Sequence, residues 1–199
     1  MVSRALSRVG FSVAILLAAA GAVAAQTSTQ TGAAGSEVVA QAGDVSSPDA
    51  ILKAVYEVIS GSAGVPRDWN RFRSLFAEGA RLIPTGQRPD GTRSMQSWTV
   101  EEYILRAGAN LERTGFHERE IGRTEQRFGQ VMHAWSVYES RRNQDDPEPF
   151  QRGINSIQMR HDGSRWWIVT IFWDSERPDN PIPSEYLRRN PPDDEAKRS

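Results

Sequence analysis

The stretch Arg165-Trp-Trp-Ile-Val-Thr-Ile-Phe-Trp173 decides the fold. In an extended chain, Trp166, Ile168, Thr170 and Phe172 share one face, and Trp167, Val169, Ile171 and Trp173 share the other. An antiparallel strand with one wet face alternates apolar with polar residues. This strand does not, so both of its faces need cover, at roughly 1.5–3 kcal/mol for each large side chain buried. His161-Asp162-Gly163-Ser164 just before it reads as a tight turn, so the strand closes a hairpin.

Working outward, Phe150 to Arg160 and the Val-, Trp- and Tyr-rich Gln130 to Arg141 read as further strands. Phe116 to Phe128 is polar, without a helical stripe, and reads as an edge strand. Upstream of Gly115 the period changes. Ser47 can cap a helix and Pro48 suits its first position. Ile51, Leu52, Val55, Val58 and Ile59 then recur at helical spacing until Gly61 and Gly64. Asp68 caps a second, short helix with Trp69, Phe72, Leu75 and Phe76 on one stripe, and Ala80 to Ile83 is a short strand. Thr99 and Glu102 form a capping box for a third helix, whose stripe is Val100, Tyr103, Ile104, Ala107 and Leu111. Helices first and strands afterwards is an α+β pattern. Three helices cover one face of the sheet. The other, outer face needs a second body, and the sequence predicts a homodimer through it.

The ends differ from this middle. Arg4 and Arg8 precede Phe11 to Ala25, which is apolar or small apart from Ser12 and closes on Ala22-Val23-Ala24-Ala25. Basic start, apolar middle and small-residue exit are the parts of a secretory signal peptide. The run is shorter than the roughly 20 residues a membrane span needs. The sequence therefore predicts export, to the periplasm or beyond, with cleavage after residue 25 and no membrane association afterwards. Residues 26–46 read as a flexible linker, residues 47–187 as the domain, and residues 188–199 as a disordered charged tail. Ile182, Tyr186 and Leu187 can fold back onto the domain surface.

Without Arg4 and Arg8, 22 basic residues face 25 acidic ones, a net charge of −3. That is too small to imply a nucleic-acid partner. The chain has no cysteine, which excludes thiol catalysis, thiolate metal sites and disulfides. Neither a phosphate-cradling glycine loop nor a G-x-S-x-G elbow is present.

Several stretches carry a family resemblance. They are Gly129-Gln-Val-Met-His-Ala-Trp-Ser-Val-Tyr-Glu-Ser-Arg141, Arg152-Gly-Ile-Asn-Ser-Ile-Gln158, Asp162-Gly-Ser-Arg-Trp-Trp-Ile168 and Trp173-Asp-Ser-Glu-Arg-Pro-Asp-Asn-Pro-Ile-Pro183. Their order and spacing resemble the nuclear transport factor two-like, or SnoaL-like, superfamily, in an exported bacterial branch. The resemblance implies a cone-like half barrel: helices close the narrow end, and a strongly curved antiparallel sheet lines a mostly apolar pocket. Such folds serve isomerases, dehydratases, cyclases and non-enzymatic binders alike, so the fold leaves chemistry open.

Enzymes of this kind place a general base inside the cavity, its pKa tuned by an apolar wall. His133, between Val131 and Trp135 on one strand face, is the first candidate, with packing among aromatic side chains as the alternative. Asp174, at the end of the last strand, is the second; it can equally anchor the turn at Arg177. Ligand-binding candidates are Trp98, Tyr103, Trp135, Tyr138, Arg152, Asn155 and Trp173. Arg152, Asn155, Ser156 and Gln158 can instead form an internal polar network. Glu118, Glu120 and Glu125 alternate with Arg119 and Arg127, which reads as cross-strand ion pairing. Three scattered histidines make no metal set, and neither a metal nor another cofactor is expected. The functions in view are binding of a small, partly apolar ligand or a partner protein, a cofactor-independent lyase or isomerase using His133 or Asp174, and a structural subunit.

Overall fold

The computed structural model describes residues 38–188 apart from residue 89. The expected signal peptide, most of the expected linker and nearly all of the expected charged tail lie outside the described residues.

Helix α1 spans Pro48–Ile59, and the Ser47 hydroxyl accepts the Ala50 N–H at 3.1 Å. Its stripe of Ile51, Leu52, Val55, Val58 and Ile59 is buried. Helix α2, Trp69–Ser74, is capped by Asp68 and buries Phe72. Helix α3 covers residues 100–114. It is α-helical at Val100–Tyr103, π-helical at Ile104–Gly108 and α-helical again at Ala109–Thr114. The Thr99–Glu102 capping box opens it. Buried Arg67 donates to the carbonyls of Ile59, Gly61, Val65 and Leu111, tying the end of α1 to α3. Charge-assisted bonds of this kind contribute about 1.5–3 kcal/mol each.

Six strands form one curved, open sheet in the order β2-β1-β6-β5-β4-β3. They are β1 Phe76–Gln87, β2 Arg93–Met95, β3 His117–Phe128, β4 Val131–Arg141, β5 Gln151–His161 and β6 Trp166–Ser175. β3 is the polar edge strand expected. β1 is much longer than expected and begins at Phe76, which was expected on the second helix. It also pairs with β6 in parallel, so the sheet is mixed rather than wholly antiparallel. The remaining pairings are antiparallel.

The two-sided apolar reading of the last strand changes at one residue. In β6, Ile168 pairs with Met159 and Thr170 with Gln158, so Val169 has no opposite number. This β-bulge switches the alternation. Trp166, Ile168, Ile171 and Trp173 all face the helices, three of them buried. Trp167, Thr170 and Phe172 face outward with the partners Arg160, Gln158 and Ser156. The inner face, with Met132, Ala134, Ile157 and Met159, packs on α1 and α2 as the core.

The chain itself covers part of the outer face. The turn Ser184–Leu187 lies across β3 and β4, and the Trp135 and Tyr186 rings are 5.7 Å apart. A Cβ at Gly122 would meet the Tyr186 carbonyl oxygen at 2.5 Å, so only glycine admits this close crossing. Val137, opposite Gly122 in the register, is fully buried beneath it.

Candidate functional site

Between the inner face and the helices lies a cavity of about 230 Å³. Val55, Ile59, Phe72, Leu82, Ile157 and Ile171 supply its aliphatic and aromatic floor, and Trp98, Tyr103, Phe116, Tyr138 and Trp173 much of its wall. Ala107 reaches it from the π-helical part of α3, a backbone irregularity frequent at functional sites, and Tyr103 from the α-helical turn just before. Gly153 leaves room for the Tyr138 hydroxyl, which a Cβ there would meet at 2.5 Å.

The one carboxyl lining this cavity is that of Glu118 on β3. Register explains its position: Glu118 pairs with Ser140 and Glu120 with Tyr138, so both glutamates face inward. The backbone of Glu118 is clamped at the end of α1, where the Ser60 hydroxyl accepts its N–H at 3.0 Å. The Ser140 hydroxyl donates to its carboxylate at 2.7 Å. Burial pushes the Glu118 carboxyl up to about 7, and hydrogen bonds from Ser140 and Asn155 only partly offset that. Glu118 keeps some accessible surface, but it lines two cavities rather than the outside of the domain.

A chain of hydrogen bonds surrounds it. Tyr56 and Ser136 hydroxyls are 2.6 Å apart, Asn155 donates to Tyr56 at 3.1 Å, and Ser136 donates to Glu120 at 2.6 Å. Desolvation raises Tyr56 and Tyr103 well above the usual phenol range and pushes Tyr138 up to about 12, so all three remain neutral hydroxyls. A second cavity, a cleft of about 790 Å³ between α1, β3 and the β4–β5 loop, shares Tyr56 and Glu118 with the first. Glu118 therefore sits where an apolar chamber meets a charged cleft.

The structure divides the expected site residues. Trp98, Tyr103, Tyr138, Asn155 and Trp173 line the cavity. His133, Trp135, Arg152 and Asp174 lie on the opposite face of the sheet, because each is out of step with the inward residues of its strand. Neither candidate base therefore lines the inner cavity. His133 Nε2 is 2.9 Å from the Ser156 hydroxyl, its ring packs on Trp135, and burial lowers its pKa. Asp174 is held by Arg177 through two contacts of 2.6 and 3.0 Å, and that pairing lowers its pKa, so it is a poor proton acceptor at neutral pH. Arg152 pairs with Glu176 at 3.4 Å. Trp135 lines a shallow groove with Phe172 and Pro183 instead.

Sequence reasoning grouped Glu118 with the ion-paired glutamates of its strand and so missed it. Glu120 does pair, with Arg123 at 2.9 Å, and Arg119 pairs with Glu139 at 2.5 Å. The signal for Glu118 was on the neighbouring strand: Ser136, Tyr138 and Ser140 put small and phenolic hydroxyls on the core face of β4. Among the described residues no group of three or more His, Asp or Glu is placed to hold a metal ion.

No protein-family model matches this sequence, and no curated protein matches it. Solved structures are similar to it in fold. One is a Nostoc punctiforme protein of unknown function with a cystatin-like fold, at 14% identity and TM-score 0.47, covering 63% of this chain and 86% of its own. Another is a Shewanella baltica protein of unknown function, at 11% identity and TM-score 0.40, covering 66% of this chain and 98% of its own. The latter is NTF2-like. Likeness at these identities concerns fold alone, and the reading of the site rests on the chain's own geometry.

Proposed function

We propose that this protein binds a small, partly apolar molecule in the inner cavity, with Glu118 as its polar anchor. The observation that carries the reading is a desolvated carboxyl in a chamber otherwise walled by aromatic and aliphatic side chains. Binding sites are typically apolar with a few well-placed polar groups, and the volume here lies just below the roughly 300–1,000 Å³ common for drug-sized ligands. Benzyl alcohol is a suitable probe. Calorimetry should show it binding the wild type, and Ala107→Phe, which fills the chamber, should abolish binding while the protein stays folded. Binding that survives Ala107→Phe places the site elsewhere.

A second reading is supported by the pKa of about 7 at Glu118, which suits a general base at neutral pH. In that reading the protein is a cofactor-independent lyase or isomerase, with Glu118 rather than His133 or Asp174 moving the proton. Exchange of the α-protons of cyclohexanone in D₂O, followed by NMR, should then be accelerated by the wild type and not by Glu118→Gln. Equal rates with and without protein would sink it.

Two sequence expectations stand beside this as proposals. Export is supported by the first 25 residues, and N-terminal sequencing of secreted material should begin near Gln26. A homodimer through the outer face is supported by the exposure of Val131, Trp135, Val169 and Phe172 there. Light scattering that gives a monomer mass across a concentration series would rule it out.

A further inference from the structure

We infer that the ligand of the inner cavity is a small cationic amine, whose ammonium group pairs with Glu118 while its apolar body fills the aromatic chamber. The inference rests on the cavity-binding reading and names the ligand's charge.

The first support is a contrast among the carboxylates. This chain supplies arginine freely. Asp44 holds Arg71 at 2.7 Å, Glu120 holds Arg123 at 2.9 Å, Glu101 holds Arg73 at 2.6 Å and Glu139 holds Arg119 at 2.5 Å. Glu118 differs from these. Its partners are the Ser140 hydroxyl and the Asn155 amide, with no cation of the described residues against it. Among the described residues that line the chamber there is no Lys, Arg or His. A carboxylate left in a low-dielectric site without a counter-charge is costly, and a cation brought to it recovers much of that cost.

The second support is the wall. Trp98, Tyr103, Phe116, Tyr138 and Trp173 surround the chamber. Aromatic faces attract cations, most strongly where water is excluded, and such cages recognise ammonium groups. The same wall offers an anionic ligand no counter-charge, only neutral donors such as the buried, unpartnered Trp98 indole N–H.

The third support is the neighbourhood. Facing Glu118 are Tyr56 from α1, Tyr103 from α3, Tyr138 and Ser140 from β4, Asn155 from β5 and Glu120 from its own strand. The tyrosines are neutral and Glu120 is acidic. On the cleft side the basic groups are committed elsewhere: Lys53 to Glu57, Arg119 and Arg141 to Glu139, and Arg123 to Glu120 and Asp49. His117 also lines that cleft. Asp145 and Asp146 add acidic groups to its rim. The approach to Glu118 therefore favours a positive charge as well.

The sign of the pH dependence separates this from the alternative. A cation needs Glu118 ionised, so its affinity rises with pH through about 7; a neutral carbonyl accepting from protonated Glu118 behaves oppositely. Calorimetry with benzylamine, benzyl alcohol and benzoate at pH 6 and pH 8 decides it. Benzylamine, protonated at both, should bind about tenfold tighter at pH 8, as the ionised fraction of free Glu118 rises by about that factor. At pH 8 it should also bind at least about tenfold tighter than benzyl alcohol. Glu118→Gln, the isostere of the protonated form, should remove both differences, with a circular dichroism spectrum and cooperative unfolding like the wild type's to show that it is folded. Benzyl alcohol or benzoate binding as tightly as the amine overturns the inference while the cavity reading stands. Amine binding unchanged in Glu118→Gln also overturns it, and no binding by any probe overturns both.

Discussion

The two faces of the sheet are built from similar residues and behave differently. The inner face carries Met132, Ile157, Met159 and Ile168, all 2% exposed or less. The outer face carries Trp135 at 38%, Val169 at 38% and Phe172 at 41%. Tryptophan and phenylalanine occur on both, so composition does not separate them. The difference is made by one unpaired residue, Val169, which moves Ile171 and Trp173 onto the same side as Ile168. The outer face is then left to a short crossing segment at Tyr186 and Leu187, which covers Val137 and leaves the strip toward β6 open. Hydrophobicity told which strand was central; the bulge told which side was core.

Four substitutions break or sharpen that contrast. The largest loss should come from Ile168→Ala, which removes a fully buried inner side chain; urea unfolding should show about 2–5 kcal/mol less stability. Glu118→Gln should act in the opposite direction. The folded carboxyl titrates near 7 and the unfolded one near 4.5, so the folded wild type binds the extra proton between these values. Its stability therefore falls as pH rises from about 4.5 to about 7 and levels off above, by up to about 3 kcal/mol. The glutamine variant should lack that slope and be the more stable protein at pH 8 by about 2–3 kcal/mol. A wild type that gains stability over this range would contradict the buried position of Glu118.

Gly122→Val comes next. Its side chain must displace the backbone of Tyr186, so the melting curve should shift by the equivalent of about 1–3 kcal/mol, with changed fluorescence from Trp135. Phe172→Ala should be the smallest, less than about 1 kcal/mol for an isolated chain. A larger and concentration-dependent loss would mean that a second body covers this face, and would erase the contrast.

The helices were the most legible part of the chain, because their signals are local. Ser47, Pro48, Asp68 and the Thr99–Glu102 pair mark starts that the structure retains. Strand positions were legible for β3 to β6 for the same reason. The pairing of β1 with β6 was not, since nothing near Phe76 or Arg81 announces a partner so far along the chain. The cavity wall was half legible. Trp98, Tyr103 and Trp173 stand out as large aromatics, but whether a strand residue points in or out depends on bulges at Ile121 and Val169 that leave no mark in composition. Asp174 faces outward because it follows the Val169 bulge, His133 faces outward by the plain alternation of β4, and Glu118 was hidden because its strand is rich in glutamates that do form ion pairs.

The parallel pairing of β1 with β6 sets the order of assembly. The Thr85 hydroxyl donates to the carbonyl of Trp173, 88 residues away, and Leu82 pairs with Ile171 beside it. β1 thus waits, with Phe76, Ala80 and Leu82 uncovered, until nearly the whole domain has been made. Closing so long a loop is entropically expensive and slow. A chain cut short of Trp166 has no β6 to seat β1 or to close the cavity beneath Trp173. The inner cavity is therefore complete only when the final strand is in place.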